Sequence, residues 1–388
     1  MATSTRTERK GAAGLSREQL LEAFRIIYTS RRIDDKEIQL KRQNKIFFQI
    51  SGAGHEAIQV AAGAHGRPGS DWFYFYYRDR AFSLQVGMTA LDHLLQAVGA
   101  AADPSSGGRQ MPSHWGHRAL NIVSGSSATA TQVLQAVGGA EAGVIYSRVA
   151  DIPDRESRFH SDEVVYTSLG EGSTSEGEFW EALNTACNLK RPVLFVVQDN
   201  AYAISVPVEV QTAGGSISKL VRSFPGLHVV EVDGCDPVAS HAAMAEAIGY
   251  ARSRKGPAFV HAKVIRPYSH SLSDDERMYK PDRQREEEGE RDPLDTFPRR
   301  LVEEGIATEE ELEALRNEVD AEIDAASDRA AESPQPGPDT VLRHVYSEDV
   351  DPTSDDFSTE PAFEGEPTTM VDLLNACMSD EMAHDPRI

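Results

Sequence analysis

The amino-acid sequence predicts an α/β fold with a doubly wound, mostly parallel sheet, helices on both faces of that sheet, and helical extensions at both ends. Between residues 163 and 265, the short apolar runs EVVYTSLG and PVLFVVQDN flank the helical stretch EFWEALNTACNLK, and two further runs, GLHVVEVDG and PAFVHAKVI, follow. Strands that alternate with helices form parallel sheets. Runs this apolar are typical of strands that are buried on both faces of such a sheet.

The chain before these strands is predicted to be mainly helical. Residues 1–14 are small and polar, and we expect a disordered lead. The stretch LSREQLLEAFRIIYTSRRIDDKEIQLKRQ begins with a Ser cap followed by apolar residues at helical spacing, which predicts a long amphipathic helix. Residues 52–148 contain Ala/Gly-rich helical stretches, among them HEAIQVAAGA and TALDHLLQAVGAA, separated by loops. Their small residues predict close helix packing.

The chain after the strands ends one domain and starts another element. A polar, charged segment follows Pro267 and precedes the acidic helix ATEEELEALRNEVDAEIDAASDRAAE. We expect this helix to close a domain that spans residues 15–332. Residues 333–367 are rich in Pro, Asp, Glu, Ser and Thr, which is typical of a tether. Residues 368–388 return to helical spacing, as expected for the start of a further, truncated domain.

Composition excludes two classes of partner. The chain has 62 acidic and 39 basic residues, a formal charge of -23, which repels nucleic-acid backbones and anionic membranes. This acidity is equally compatible with a high-salt cytoplasm and with an ordinary acidic enzyme. The three cysteines, Cys187, Cys235 and Cys377, show neither pairing nor metal-ligand spacing, and there is no export signal or long apolar run. We therefore expect a cytoplasmic protein.

The strongest functional signal lies in residues 170–205, GEGSTSEGEFWEALNTACNLKRPVLFVVQDNAYAIS, which predict one βαβ unit. Glu171 follows the first strand and Asn200 follows the second. A right-handed crossover brings the ends of both strands to one edge of the sheet, so these two side chains can converge. The glycines on either side of Glu171, and a helix beginning near Ser175, would favour a diphosphate there. Carboxylate and amide oxygens suit Mg²⁺, so we expect metal and diphosphate to bind as one unit.

Taken singly, these residues have simpler explanations. A Gly-x-Gly turn is a weak signal, and Asn200 could cap the turn after its strand. A carboxylate between two glycines after a strand, a helix, and an Asn at the end of the next strand form a much more specific combination. We therefore interpret the unit as functional.

These residues resemble the first components of 2-oxoacid dehydrogenase complexes, whose thiamine diphosphate motif begins Gly-Asp-Gly and ends about thirty residues later in Asn. The resemblance covers almost the whole chain and includes GRQMPSHWG at 108–116, SSATATQVLQAVGGA at 126–140 and RPYSHSLSDDERMY at 266–279. It implies the thiamine diphosphate-binding fold. Glu171 replaces the commoner Asp, as it does in branched-chain (2-oxoisovalerate) members, and this favours the branched-chain type.

The resemblance also implies a set of site residues. The implied cofactor contacts are Tyr77, Arg78, Ser127, Gly170, Glu171, Gly172, Ser173, Asn200, Tyr202 and His270; the magnesium ligands are Glu171, Asn200 and the carbonyl of Tyr202; the potassium ligands are Ser126, Thr131 and Gln132. A guanidinium such as that of Arg78 can hold two phosphate oxygens, although an ion pair with Asp71 or Asp79 is an alternative. The potassium-site side chains could equally cap the helix that follows.

The chain departs from the family pattern at three positions. Ala128 and Thr129 stand where Pro and Leu are usual, and Gln198 stands where an Arg touches phosphate. These departures concern the potassium site and the diphosphate contacts.

Several histidines are candidates for chemistry. His270 lies in the polar loop SHSLSDD and matches a family histidine that reaches the cofactor and aids acyl transfer, so it is the catalytic candidate. Ser271 beside it matches a serine that is phosphorylated in animal members. His114 is a weaker candidate, whereas His55 and Glu56 look like a catalytic pair but are interpreted as the start of a helix.

The family reaction is the oxidative decarboxylation of a 2-oxoacid with acyl transfer to the lipoyl domain of an acyltransferase core. It implies a two-alpha, two-beta assembly in which a beta subunit, or a fused beta domain, supplies the glutamate that activates the aminopyrimidine of the cofactor, a role for which this chain has no candidate residue. The final stretch TTMVDLLNACMSDEMAHDPRI resembles the first helix of that beta part, and an ordinary tail helix is the alternative. Two alternatives stay open: a pyruvate or acetoin dehydrogenase alpha subunit, and an inactive alpha-like subunit that acts only in assembly.

Overall fold

The computed structural model describes residues 14–149, 152, 159–345, 349–351, 354 and 366–384. The helices are α1 (Arg17–Arg42), α2 (Glu56–His65), α3 (Arg80–Gln85), α4 (Ala90–Val98), α5 (Thr131–Arg148), α6 (Gly177–Leu189), α7 (Val208–Gln211), α8 (Ile217–Val221), α9 (Pro237–Arg252), α10 (Asp282–Glu290), α11 (Pro293–Glu303), α12 (Glu309–Glu332) and α13 (Met370–His384). The strands are β1 (Trp72–Tyr74), β2 (Val165–Gly170), β3 (Val193–Asp199), β4 (Tyr202–Ala203), β5 (Val206–Pro207), β6 (His228–Asp233) and β7 (Ala258–Lys263). Residues 1–13 of the expected lead lie outside the described residues.

The sheet confirms the predicted fold class. Five strands lie in the order β1-β2-β3-β7-β6, and every neighbouring pair is parallel. The order changes direction across the centre of the sheet, which is typical of a doubly wound fold, and such folds bind ligands at the carboxyl ends of their strands. At that edge, Gly170 of β2 lies opposite Gln198 of β3. Strands β4 and β5 form a separate antiparallel hairpin after β3.

Helices cover both faces of the sheet, as the apolar strands require. On one face, alternate residues such as Leu194 and Val196 pack with Met244 and Ile248 of α9. On the other face, Phe195 packs in a second cluster with residues of α5 and α6. All seven residues of β3 are buried, so this central strand anchors its end, where the candidate site lies.

Helix α1 joins the outer helices to the sheet. Ser16 caps its start, as the sequence predicts, and the structure adds a capping box with Gln19. Its buried Arg31 forms ion pairs with Glu56 at the start of α2 and with Asp292 before α11. A second buried arginine, Arg80 of α3, pairs with two α1 carboxylates. Buried charges are tolerated when they are paired in this way, and these pairs hold the segments that lead into the site.

Several short elements were absent from the prediction. β1 and the β4–β5 hairpin were not predicted, because strands of two or three residues are too short to show an alternation of apolar and polar side chains. The polar segment after Pro267 contains α10 and α11. α11 buries Phe297 and Leu301, whereas α10 buries only Glu288, which accepts a hydrogen bond from Lys280. α10 therefore depends on tertiary contacts that periodicity does not reveal.

The region predicted as a tether is described in part. Its first residues lie against the body of the protein: the carbonyl of Pro334 accepts from Ala101, and Gln335 donates to the carbonyl of Val98. Helix α13 has only exposed residues, and the proposed domain division stays a prediction. The three cysteines are free. Within the ranges given above, none of the helices has the length and apolar character to cross a bilayer.

Candidate functional site

Glu171 and Asn200 lie side by side where β2 and β3 end. The backbone N–H of Asn200 donates to Oε2 of Glu171 at 3.3 Å. Both side chains are almost wholly buried, with 1% and 5% of their surface exposed. The structure therefore brings together the acid and the amide that the βαβ motif placed at one edge of the sheet.

The carboxylate of Glu171 is incompletely satisfied. Its Oε1 atom is buried and has no hydrogen-bond partner among the described residues. Burial, and then the nearby charge of Asp199, raise the pKa of Glu171 to about 8. Buried polar atoms almost always have a partner, so an unpartnered carboxylate oxygen in a cleft matches the needs of a cation.

A strained turn brings Tyr202 next to this pair, where its backbone N–H donates to the Asn200 side-chain oxygen at 3.3 Å. Ala201 adopts a left-handed conformation, with φ at 69°, and its N–H donates to the Asp199 side chain. Tyr202 then pairs with Pro207 in the hairpin. Because proline has no backbone N–H, Pro207 cannot donate a hydrogen bond to the carbonyl oxygen of Tyr202. That carbonyl oxygen is thus a third possible oxygen ligand, as the resemblance implies.

A cleft of about 280 Å³ opens above these residues. Its lining combines the ends of β2 and β3, the hairpin, the segment before α3, and the loop that carries His270. Nine of the predicted site residues line it: Tyr77, Arg78, Gly170, Glu171, Gly172, Ser173, Asn200, Tyr202 and His270. Thr129, one of the positions that depart from the family pattern, also lines it.

Arg78 is the buried cation of the cleft. It is 2% exposed, and its guanidinium donates to the carbonyl of Ser51 at 2.5 Å and approaches Nδ1 of His270 at 3.0 Å. The alternative ion pairs with Asp71 and Asp79 are not formed: Asp71 pairs with Arg252, and Asp79 bonds other groups. None of the hydrogen bonds of Arg78 within the described ranges reaches a carboxylate, which leaves its charge available to an anion in the cleft.

His270 is positioned by its own loop and by Arg78. Its backbone N–H donates to the Asp274 carboxylate at 2.8 Å, and its ring meets the Tyr77 ring edge-on, with the ring centres 6.1 Å apart. Partial burial, and then the positive charge of Arg78, lower the pKa of His270 to about 4. The imidazole is therefore neutral near pH 7, and because Arg78 donates to Nδ1, the ring carries its proton on Nε2.

The turn after β2 differs from the prediction in two respects. Helix α6 begins at Gly177 rather than near Ser175, and a 3₁₀ turn, Glu171–Ser175, lies between strand and helix. This turn, not the helix, borders the cleft. Gly172 is required by packing as well, because a Cβ there would lie 2.7 Å from that of Ala203, whereas Gly170 has ordinary space around it.

Four predicted residues lie outside the lining of this cleft. Ser127 bonds His114 at 3.0 Å, and Ser126 precedes it in the loop that leads to α5. Thr131 and Gln132 form the first turn of α5, where the Gln132 amide donates to the carbonyl of Ser168.

Sequence reasoning missed the network behind Asn200. His55 does precede α2, as predicted, but it is wholly buried and its ring lies 3.2 Å from the Asn200 amide nitrogen. On its other side it contacts Gln198, which in turn bonds Asp79. Gln198 is wholly buried, so it is committed to this network rather than to a phosphate. The only sequence signal was the departure from the family pattern at position 198.

Comparison with known proteins supports this reading of the fold. Residues 25–339 match the family described as "Dehydrogenase E1 component". The chain is 36% identical over 341 residues to the 2-oxoisovalerate dehydrogenase subunit alpha of Bacillus subtilis (strain 168), which covers 88% of this chain and 99% of that protein. It is 30% identical to the 3-methyl-2-oxobutanoate dehydrogenase subunit alpha of Mycobacterium tuberculosis (strain ATCC 25618 / H37Rv), over 88% of this chain and 86% of the relative. The human mitochondrial 2-oxoisovalerate dehydrogenase subunit alpha is 28% identical, over 86% of this chain and 72% of the relative. The chain belongs to the dehydrogenase E1 component family.

Proposed function

We propose that this chain is the alpha part of a branched-chain 2-oxoacid dehydrogenase and that its cleft binds thiamine diphosphate with Mg²⁺. The observation that carries the proposal is the unpartnered, buried oxygen of Glu171 beside Asn200. The relatives at 36% and 30% identity are named for the same branched-chain reaction, which supports the choice of substrate class.

The residues of the cleft have the chemistry that this cofactor requires. Glu171, Asn200 and the Tyr202 carbonyl would supply oxygen ligands to Mg²⁺, a hard cation that prefers them. Arg78 would hold the diphosphate through its fixed fork of N–H donors, with the backbone around Gly172 and Ser173 beside it. Metal binding fits the buried Glu171, which has an unpartnered oxygen among the described residues. Diphosphate binding fits the buried Arg78, whose hydrogen bonds leave its charge unpaired with any carboxylate in the described part of the chain.

Each residue has a distinct part in the reaction. Thiamine diphosphate, when bound, supplies the nucleophilic carbon and the electron sink for decarboxylation. Arg78 orients the cofactor and neutralises its phosphate charge. His270, held neutral by burial and by Arg78, is available to hold or move a proton when the acyl group leaves for lipoamide. The near-complete burial of Glu171 and Asn200 would limit the access of water to a metal held between them.

We further propose that the chain works with a beta subunit, or with a beta domain in the same polypeptide, and with the lipoyl domain of an acyltransferase core. The relatives are named as alpha subunits, which supports a beta partner. The activating glutamate that the family resemblance requires would come from that partner.

The proposal is tested by combining the full chain with a beta subunit and measuring binding and turnover. We expect calorimetry to detect thiamine diphosphate binding only when Mg²⁺ is present. We also expect faster turnover of 3-methyl-2-oxobutanoate than of pyruvate. Preference for pyruvate would indicate the alternative substrate class, and no magnesium-dependent binding would favour an inactive assembly subunit.

We also propose a potassium site formed by Ser126, Thr131 and Gln132. The side-chain N–H of Gln132 is used by the Ser168 carbonyl, so the amide oxygen remains as a potential ligand. The measurement is the thermal unfolding midpoint in potassium against sodium chloride at equal ionic strength. Equal midpoints in the two salts would refute the site.

A further inference from the structure

An asparagine that binds a metal must present its oxygen and not its nitrogen. The two ends of the amide have nearly the same shape, so the hydrogen bonds around it decide which end faces the ligand. In this cleft, the Asn200 nitrogen lies 3.2 Å from Nε2 of His55, while its oxygen accepts from the backbone N–H of Tyr202 at 3.3 Å.

The orientation of His55 follows from groups whose polarity is fixed. The backbone N–H of Ala81 donates to the Gln59 oxygen at 3.1 Å, so the Gln59 nitrogen must face the Gln198 oxygen, 2.8 Å away. Independently, Asp79 accepts from the Gln198 nitrogen at 2.7 Å. Both contacts turn the Gln198 oxygen toward Nδ1 of His55, at 2.9 Å.

This arrangement fixes the tautomer of His55. Nδ1 faces the Gln198 oxygen, which can only accept, and more distantly, at 3.3 Å, the Tyr76 hydroxyl, which can accept as well as donate, so Nδ1 carries the proton. The Asn200 oxygen accepts from the backbone N–H of Tyr202, so the amide nitrogen faces Nε2, and Nε2 must keep its lone pair to accept from that nitrogen. That lone pair can accept from the Asn200 nitrogen but would repel the Asn200 oxygen.

We infer that His55 is a positioning residue for the metal site: it binds the nitrogen of the Asn200 amide and thereby keeps the oxygen turned toward the metal beside Glu171. The inference rests on the proposed function, because it concerns the same metal. It also accounts for Gln198, whose amide relays the orientation from Asp79 and Gln59 to His55.

Three substitutions of His55 separate the contacts made at Nδ1 from the contact made at Nε2. His55→Gln places an amide oxygen near the Nε2 position and can still accept from Asn200. His55→Asn reaches only the Nδ1 position and keeps the Gln198 contact alone. His55→Leu removes both. Each variant, as the full chain with a beta subunit, is titrated with MgCl₂ at saturating thiamine diphosphate in a calorimeter, and its thermal unfolding midpoint is measured without metal.

We expect His55→Asn and His55→Leu to weaken magnesium binding about tenfold or more, the usual cost of losing an outer-shell partner of a metal ligand. His55→Gln should remain within about threefold of the wild type, since it restores the hydrogen bond that matters. Because Gln and Asn carry the same amide group and differ by one methylene, their comparison decides the question even if the Leu variant is unstable.

Two results would overturn the inference: unchanged magnesium affinity in His55→Asn, or an equal loss in the Gln and Asn variants. Failure of the proposed function has a different signature, because the wild-type chain itself would then show no magnesium-dependent binding.

Discussion

Magnesium binding should release the proton that burial keeps on Glu171. The pKa of this carboxyl is raised to about 8, so it is mostly protonated at pH 7 before a metal binds. A metal ligand must be ionised, and binding therefore competes with the proton. The apparent affinity for Mg²⁺ should rise about tenfold per pH unit between about pH 6 and pH 8, and should level off above that range.

The protons can be counted by calorimetry in two buffers with different ionisation enthalpies. Near pH 7, the wild type should release about one proton more than Glu171→Gln, whose amide cannot ionise. Protons that come from the cofactor phosphates appear in both proteins and cancel in this difference. Equal proton release by the two proteins would refute the reasoning.

The same raised pKa predicts how the stability of the metal-free chain depends on pH. In the unfolded chain, Glu171 ionises near its ordinary pKa of 4.5, whereas in the folded chain it ionises near 8. The stabilisation by the neutral carboxyl is fully present below pH 4.5 and is lost as the pH rises through 8. The slope from this one group is about 1.4 kcal/mol per pH unit between those values, and Glu171→Gln should lack it.

Three further predictions concern other parts of the chain. Arg78→Lys should weaken thiamine diphosphate binding about tenfold or more, because a lysine cannot keep the backbone contacts of the guanidinium and also bind two phosphate oxygens; an unchanged dissociation constant in calorimetry would contradict this. Gly172→Ala should weaken magnesium-dependent cofactor binding, because the new Cβ would lie 2.7 Å from the side chain of Ala203. The control Gly177→Ala, where a Cβ would meet no atom within 4 Å, should bind the cofactor normally. Equal binding by the two variants would show that the turn tolerates the methyl group. Arg31→Met should lower the free energy of unfolding, measured in urea, by about 3–5 kcal/mol, because it leaves two buried carboxylates unpaired. The control Arg222→Met breaks an exposed ion pair and should lower it by less than about 1 kcal/mol. Similar losses in the two variants would refute the distinction between buried and exposed pairs.

The sheet and the metal edge could be predicted because they follow from local patterns and a topological rule. The apolar runs of β2 and β3 are long enough to identify, and the handedness of the crossover then brings Glu171 and Asn200 to one edge. The start of α6 was predicted about two residues early, since the 3₁₀ turn before it has the same composition as a helix N-terminus.

The network behind Asn200 could not be predicted, because its members come from distant parts of the sequence. His55 lies 143 positions from Gln198 and 145 from Asn200. Nothing in the local sequence GHEA distinguishes a histidine that starts a helix from one that also contacts a strand end. Only the register of β3 against its neighbours, and the docking of α2 onto the sheet, bring the imidazole to that amide. The resemblance identified position 198 as unusual but could not say what the glutamine contacts.

The contrast within this network explains why the cleft should bind a cation and not merely water. Gln59, Gln198 and Asn200 have partners at both ends of their amides, so burial costs them little. Glu171, in the same wall, leaves one carboxylate oxygen without a partner in the described part of the chain. Ionising that group in a buried site is unfavourable, and a bound Mg²⁺ would offset the cost directly. Because the metal and the cofactor would then bind only the folded chain, together they should raise its unfolding midpoint. That increase should be much smaller in Glu171→Gln, whose amide cannot ionise and so offers the metal no negative charge.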